Sequence, residues 1–196
     1  PIRHIKFDSG RQETLWIKNV LSIGLCAAFA EPLEATSIHT TIMQLKHFIF
    51  GSLGATRDIT CNEGTVTEYN KTNAHLYDTM KDFLVAHYTC GRKDTEFWKY
   101  INSGATSTDF VRSMHEVCKH RVPNATLFPR QEGSAGWPLW SYVLAGTGAL
   151  TSEVAEKEVK FNNDELVGDS AYTYHVTDFD NMSKDLPDNS DYIRNM

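Results

Sequence analysis

The sequence predicts an α+β fold in which a few strands come first and helices follow. Three observations predict it. Apolar residues alternate or run together between Ile5 and Leu25, helical spacings dominate from Thr36 onward, and turn residues separate the two patterns. The chain therefore divides, in prediction, into a short strand-containing piece over residues 1–54 and a mainly helical piece over residues 55–196.

The predicted strands come in order at the start of the chain. Ile5 and Phe7 alternate with polar neighbours, D-S-G at 8–10 is a turn signal, and L-W-I at 15–17 follows as a return strand. The continuous apolar run over residues 20–25 is typical of a strand that is buried on both faces. The small-residue segment from 26 to 35 then predicts a loop.

Helical spacing dominates the rest of the chain. Thr36 or Ser37 can cap a helix that runs to about Phe50, and its apolar residues share one face: Ile38, Ile42, Leu45 and Ile49. Further helices are predicted over 65–88, over 94–101, after a cap at Ser107 or Thr108, over 137–145, and from Ser152. The stripe predicted for the longest of them is Tyr69, Leu76, Met80, Phe83, Leu84 and His87.

Composition limits the class of protein. The chain has 196 residues, a formal charge of −6 and 41% hydrophobic residues, which is ordinary for a globular chain and unfavourable for binding nucleic acid. The most apolar run, residues 20–30, is too short to span a bilayer and follows no basic segment, so neither a membrane span nor a signal peptide is expected. The four cysteines form no C-x-x-C pair, which favours reduced thiols in a cytoplasmic protein without a metal site.

The most informative segment is residues 24–39, where a strand leads through small residues into a helix. The first backbone N–H groups of that helix, at Thr36 and Ser37, form a natural place for an anion. Glu31 and Glu34 lie on the same loop, three residues apart. Glu34 is either a carboxylate that complements the helix dipole or a general base, and the pattern alone leaves both possibilities open.

This segment resembles the signature of a known family. F-A-E-P-L-E-A-T-S-I-H at 29–39, preceded by N-V-L-S-I-G-L at 19–25, is similar to the G-F-x-E-P-L-E-S-T-x-I signature of flavin-dependent tryptophan halogenases. R-H-I-K-F-D-S-G-R at 3–11 and H-Y-T-C-G-R-K-D-T-E-F-W at 87–98 also resemble the family, and W-P-L-W-S-Y-V-L-A-G-T-G at 137–148 does so loosely.

The resemblance implies an oxidoreductase that uses FADH2, O2 and chloride or bromide to halogenate an aromatic, tryptophan- or indole-like small molecule. It implies that Glu34 is the catalytic carboxylate and that the N–H groups of Thr36 and Ser37 hold the halide. Leu25 and Ile38 match residues that contact the flavin. A separate flavin reductase is implied as a partner.

The chain also departs from the family pattern. Ala35 stands where serine is usual, and Ala28 where glycine is usual. Neither G-x-G-x-x-G nor W-x-W-x-I-P occurs, and the family's catalytic lysine cannot be assigned in this chain. The resemblance is therefore to the C-terminal part of a halogenase. It implies the last strands of a flavin-monooxygenase-like FAD module, followed by a helical substrate-binding subdomain. The missing N-terminal part of the same protein is expected as the partner of this chain.

Two further questions stay open at the level of sequence. Trp137 and Trp140 are candidates for contact with an aromatic substrate, although their pattern favours packing in a helical core. The function has alternatives as well: a related flavin monooxygenase or inactive flavin-binding relative, which Ala35 favours, or a helical interaction module without activity, which the missing glycine motif favours.

Overall fold

The computed structural model describes residues 8–31, 33–53, 62–124, 126–128 and 137–165, and most of these are helical. Compactness separates two units, Pro1–Thr151 and Ser152–Met196. The described part of the second unit is the helix α6 (Ser152–Glu165), in which Lys157 Nζ contacts Glu153 Oε1 one turn earlier at 2.7 Å. Of the predicted strands, the one around Ile5 and Phe7 lies outside the described residues.

Short antiparallel pairs form the strand part. β1 (Gly10–Arg11) pairs with β4 (Ala28–Phe29), and β2 (Trp16–Ile17) pairs with β3 (Val20–Leu21) through a two-residue turn. The predicted return strand is thus present as β2. The continuous buried strand over residues 20–25 is wrong, because pairing stops at Leu21 and both Val20 and Leu25 are about two-thirds exposed, at 63% and 67%.

Gly24 ends the extended segment. Its φ of +64° is in the left-handed region, and a Cβ there would lie 3.4 Å from Thr41 Oγ1. A 3₁₀ turn over Gly24–Cys26 follows directly. Glycine is needed here both for its backbone conformation and for its close approach to the neighbouring helix.

The helix α1 (Thr36–Lys46) begins and ends differently from the prediction. Its N-cap is Ala35, and no side chain of the cap residue binds the first N–H groups, so capping by Thr36 or Ser37 is wrong. The helix widens into a π-type turn over His47–Leu53. Its predicted apolar face is exposed, whereas the opposite face is buried and polar: Thr36, Thr40 and Gln44.

The long helix α2 (Glu63–Tyr88) is the axis of the first unit. Asn62 caps it, with its side-chain oxygen accepting the Thr65 N–H at 2.7 Å. The predicted stripe is confirmed as the buried face over Tyr69, Leu76, Met80, Phe83 and Leu84, with His87 half-buried at its end. The helix α2 packs against α1 and the strand β2, and it also contacts two later helices of the unit, the one that follows Thr108 and the one that begins at Trp137.

Polar contacts join α1 to α2. The Gln44 side chain is fully buried, and its oxygen accepts the Gly24 N–H at 3.1 Å and the Tyr77 hydroxyl at 3.0 Å. One turn later, His47 Nδ1 lies 3.0 Å from Asn73 Oδ1. Because buried polar groups must be paired, these bonds explain why the polar face of α1 points inward.

Asn70 of α2 holds the β2–β3 hairpin. Its side-chain oxygen accepts the N–H groups of Leu15 at 2.9 Å and Trp16 at 2.8 Å, and its amide nitrogen donates to the Trp16 carbonyl at 2.9 Å. The Trp16 ring packs edge-on against Phe48 at 5.4 Å and Tyr69 at 5.5 Å. The loop that follows the hairpin is thereby anchored to α2.

The remaining helices of the first unit are α3 (Glu96–Tyr100), α4 (Asp109–Cys118) and α5 (Trp137–Gly146). The predicted cap at Thr108 is confirmed, with its hydroxyl oxygen accepting the Val111 N–H at 3.2 Å. A second apolar core joins α2, α4 and α5, and its fully buried members include Val111, Met114, Cys118, Trp140 and Leu144. None of the helices in the described ranges is both long and apolar enough to cross a membrane.

Candidate functional site

The loop between β4 and α1 has a strained backbone. Glu34 and Ala35 have φ values of 57° and 51°, so two consecutive residues with side chains adopt the left-handed conformation within the 3₁₀ turn Leu33–Ala35. Such a conformation costs about 1–2 kcal/mol per residue. Strain of this kind persists when surrounding contacts impose it, and it is concentrated at functional sites.

The C-terminal end of α2 supplies contacts to both glutamates of the loop. The Tyr88 hydroxyl donates a 2.5 Å hydrogen bond to Glu31 Oε1. His87 Nε2 lies 3.7 Å from Glu34 Oε1. The bond to Glu31 stabilises the neutral phenol and so raises the pKa of Tyr88. The Tyr88 hydroxyl therefore holds Glu31, while the neighbouring His87 lies beside Glu34 without a hydrogen bond to it.

Glu34 differs from Glu31 in its access to solvent. The Glu34 side chain is 58% exposed although it contacts a half-buried histidine. Glu31 is half-buried and lines a neighbouring cavity. An exposed carboxylate held on a strained turn is free to meet a bound molecule, whereas Glu31 is already engaged by Tyr88.

The first turn of α1 offers backbone donors beside Glu34. Because Ala35 is the N-cap and has no side-chain acceptor, no cap side chain takes up the N–H groups at the helix start. The Thr36 side chain is buried, with its hydroxyl 3.5 Å from the Glu31 carbonyl, and Ser37 is half-buried. Thr36 and Ser37 thus lie where an anion could accept helix N–H groups.

The two predicted flavin contacts are both exposed apolar side chains. Leu25, in the 3₁₀ turn, is 67% exposed and Ile38, in the first turns of α1, is 63% exposed. The turn that contains Leu25 is tied to α1 through the Gly24–Gln44 hydrogen bond. Exposed apolar side chains beside a helix start leave an uncovered surface, and contact of Leu25 and Ile38 with a flavin stays a prediction.

A cavity of about 570 Å³ lies on the other side of the same loop. Its polar edge includes the Arg11–Asp78 pair, in which both guanidinium–carboxylate contacts measure 3.2 Å. Its walls come from β1, β4, the start of α1, the second half of α2, and α3 with the segment that follows it. Its apolar side chains include Phe29, Met80, Leu84, Val85, Phe97 and Ile101. Thr36, Ser37 and Glu31 line it, and Glu34 does not.

Comparison with known proteins assigns the chain. The family model described as tryptophan halogenase matches residues 1–162. The chain belongs to the tryptophan halogenase family. Membership in this family, which the resemblance of the 29–39 segment predicted, is therefore confirmed.

The relatives are longer than this chain. It is similar to a tryptophan 6-halogenase of Streptomyces toxytricini, with 36% identity over 155 residues that cover 75% of this chain and 27% of the relative. A tryptophan 7-halogenase of Lentzea aerocolonigenes is 36% identical over 104 residues, covering 50% of this chain and 18% of that protein. These matches therefore span less than a third of the length of either relative.

Solved structures agree with the family. A tryptophan C-6 flavin-dependent halogenase from taromycin biosynthesis superposes with a TM-score of 0.63 at 29% identity, covering 74% of this chain and 29% of that one. A flavin-dependent halogenase from a Brevundimonas species superposes with a TM-score of 0.65 over 98% of this chain and 37% of that one, at 20% identity, and so shows the fold alone. The mainly helical fold with few strands is thus that of flavin-dependent halogenases.

The two tryptophans proposed for substrate contact lie in α5. Trp140 is fully buried, and its ring packs edge-on against Phe83 at 5.0 Å and Phe110 at 5.7 Å. The side chain of Trp137 lies outside the described part. Trp140 therefore belongs to the helical core of this member of the tryptophan halogenase family. A role of Trp137 or Trp140 in substrate binding stays a prediction.

Three of the four cysteines lie within the described residues, and they differ in exposure. Cys26 is exposed, Cys90 is half-buried and Cys118 is buried, and burial raises the pKa of Cys118 to about 11. Among the described residues, no group of three or more His, Cys, Asp or Glu side chains is arranged to hold a metal ion.

The sequence placed His87 on the predicted stripe of α2 but gave neither His87 nor Tyr88 a part in the site. Both belong to the H-Y-T-C-G-R-K-D-T-E-F-W segment, which carries the family resemblance. A half-buried His–Tyr pair at a helix end needs polar partners. The sequence offers such partners in the loop with Glu31 and Glu34, and this combination is the signal that could have identified His87 and Tyr88.

Proposed function

We propose that this chain is the part of a flavin-dependent halogenase that carries the catalytic carboxylate, Glu34. The complete enzyme uses FADH2, O2 and a halide to halogenate an aromatic, tryptophan-like compound. The observation that carries the proposal is the left-handed pair Glu34–Ala35, which places an exposed carboxylate directly before a helix start without a capping side chain. The family membership gives this arrangement its chemical meaning.

Each residue of the site has a role in the proposal. Reduced flavin with O2 supplies the oxidising equivalents that convert halide into an electrophilic halogenating agent. The N–H groups of Thr36 and Ser37 hold the halide with the help of the helix dipole. Leu25 and Ile38 contact the flavin ring. When a ring carbon of the substrate gains the halogen, it must lose a proton, and the Glu34 carboxylate accepts that proton.

Other parts of the assignment rest on the sequence. The resemblance implies an N-terminal part that supplies the dinucleotide cradle and the catalytic lysine, and a separate flavin reductase. The boundary near residue 54 follows from the change from strand to helix patterns, and the cytoplasmic location from the cysteine usage. Chloride and bromide are both expected as substrates, because backbone donors at a helix start select poorly by size.

Glu34→Gln in the complete enzyme tests the role of the carboxylate. General-base catalysis typically contributes about 10²–10⁴-fold, so the halogenation rate should fall by about that factor while FAD affinity and hydrogen peroxide formation stay unchanged. Glu31→Gln is the matched control, since an amide oxygen still accepts the Tyr88 hydrogen bond. If the Glu34 variant halogenates at the wild-type rate, Glu34 is not the general base and only complements the helix dipole.

The product of the complete enzyme tests the reaction class. With FADH2, O2, halide and a panel of indoles, a singly halogenated product is expected. Oxygen insertion instead would assign a monooxygenase, the alternative that Ala35 in place of serine favours. Peroxide alone, with every substrate and each halide, would refute the proposed activity.

A further inference from the structure

The His87 ring is held in one orientation. Its Nδ1 lies 2.8 Å from the Phe83 carbonyl oxygen, and its ring stands edge-on to the Phe83 ring at 4.7 Å. Because a carbonyl oxygen can only accept, Nδ1 must carry the hydrogen. The other nitrogen, Nε2, is therefore the one free to gain or lose a proton.

Nε2 is directed at the proposed catalytic carboxylate. It is buried and makes no hydrogen bond to any of the described residues, and Glu34 Oε1 lies 3.7 Å away. A neutral Nε2 and a carboxylate oxygen present lone pairs to each other, so no bond forms. A proton on Nε2 turns the same contact into a charge-assisted hydrogen bond, which shortens to about 2.7–2.9 Å.

The other polar groups at this helix end already have partners. Glu31 accepts the Tyr88 hydroxyl, and His115 of α4 lies with its Nε2 3.4 Å from the Thr89 hydroxyl. Glu34 is thus the acidic side chain that the structure leaves for His87, and its Oε1 lies 3.7 Å from His87 Nε2.

We propose that His87 is the positioning residue for Glu34. Through a proton on Nε2 it holds the carboxylate of the left-handed turn in the orientation that the reaction requires. This rests on the proposed function, in which Glu34 is the catalytic base. The last turn of α2 then acts as a clamp, with Tyr88 fixing Glu31 and His87 fixing Glu34.

The contact is tested directly by NMR of the 196-residue chain, without any halogenation assay. Long-range ¹H–¹⁵N correlations of the imidazole rings should show Nδ1 protonated in His87. Glu34→Gln should move the His87 Nε2 resonance and leave that of His115 in place, since His115 faces Thr89. An unchanged His87 resonance would overturn the proposal, whatever the enzyme's activity.

The consequence for catalysis is tested in the complete enzyme with two variants. His87→Phe removes the donor while keeping a ring, and it should lower kcat for halogenation by about 10- to 100-fold, the usual effect of losing a partner of a functional group, with KM nearly unchanged. His87→Gln keeps an N–H donor at the end of a planar group and should recover most of that loss. Equal kcat values for the two variants would refute positioning by hydrogen bonding.

The outcomes separate this proposal from the function it rests on. If the wild-type enzyme makes no halogenated product, the proposed function fails, while the NMR result still decides whether His87 holds Glu34. If circular dichroism shows that His87→Phe does not fold, the Glu34→Gln spectra alone carry the decision. A normal halogenation rate in a folded His87→Phe enzyme would show that Glu34 needs no such support.

Discussion

Replacement of Asn70 by alanine should be among the most destabilising polar changes in the chain. Asn70 makes three hydrogen bonds to the backbone of Leu15 and Trp16, all at 2.8–2.9 Å. Leu15 and Trp16 are buried, so water cannot readily replace the lost partner. At about 1 kcal/mol per bond, with an added penalty for each backbone group left unpaired, the loss amounts to about 3–4 kcal/mol.

A smaller effect opposes this loss. Alanine is a better helix former than asparagine by roughly 0.5 kcal/mol, and residue 70 lies inside α2. The net destabilisation is therefore about 3 kcal/mol, a large fraction of the 5–15 kcal/mol that stabilises a typical domain. Urea unfolding of the chain, followed by tryptophan fluorescence, measures it.

Two variants make the test specific. Asn62→Ala removes the single cap bond at the start of α2 and should cost about 1 kcal/mol. Asn70→Asp keeps acceptors for both N–H groups but loses the donor to the Trp16 carbonyl, so its cost should be intermediate. If Asn70→Ala costs no more than Asn62→Ala, the hairpin is not held by Asn70 and the reasoning is wrong.

Two further predictions concern titratable side chains of the α4 helix. Cys118 is buried and has a pKa of about 11, so only about a thousandth of it should be thiolate at pH 8. Iodoacetamide should therefore modify exposed Cys26 in the folded chain and reach Cys118 only on unfolding. Peptide mass spectrometry measures this, and equal labelling of the two cysteines would contradict the burial of Cys118. Burial lowers the pKa of His115 below its usual 6.5, so the folded state binds fewer protons than the unfolded state. Stability that is present above pH 6.5 should therefore be lost as the pH falls, and His115→Gln should flatten this dependence in urea titrations; an unchanged dependence would contradict the burial of His115.

The helices were predictable from sequence because their signals are local. The Thr108 cap and the stripe of α2 require no knowledge of the rest of the fold, and both are present. The apolar run over residues 20–25 had no such local signature, since continuous apolar residues fit a buried strand, a turn or an exposed ligand surface equally. Gly24, with its left-handed backbone, turns that run into a 3₁₀ segment.

The candidate site was predictable only in part. The motif at 29–39 led to Glu34, Thr36 and Ser37 through the family resemblance. Nothing in the residue types of Glu34 and Ala35 indicates a left-handed pair, because neither is glycine or asparagine. The contacts to the loop come from α2, which is distant in sequence, and the same distance hid the proximity of His87 to Glu34.

Helix α1 shows why periodicity identifies a helix without telling which face is covered. Ile38, Ile42 and Leu45 recur at helical spacing and are exposed, while the face with Thr40 and Gln44 is buried against α2. On the buried face, the Thr40 hydroxyl and the Gln44 side-chain oxygen have partners, which lowers the cost of burying them, while the Gln44 amide nitrogen makes no hydrogen bond to the described residues. An exposed apolar stripe of this kind marks a surface for contact with another group. Ile38, a proposed flavin contact, lies on that stripe. The exposed apolar side chains of α1 are therefore located where the proposed function requires an uncovered surface.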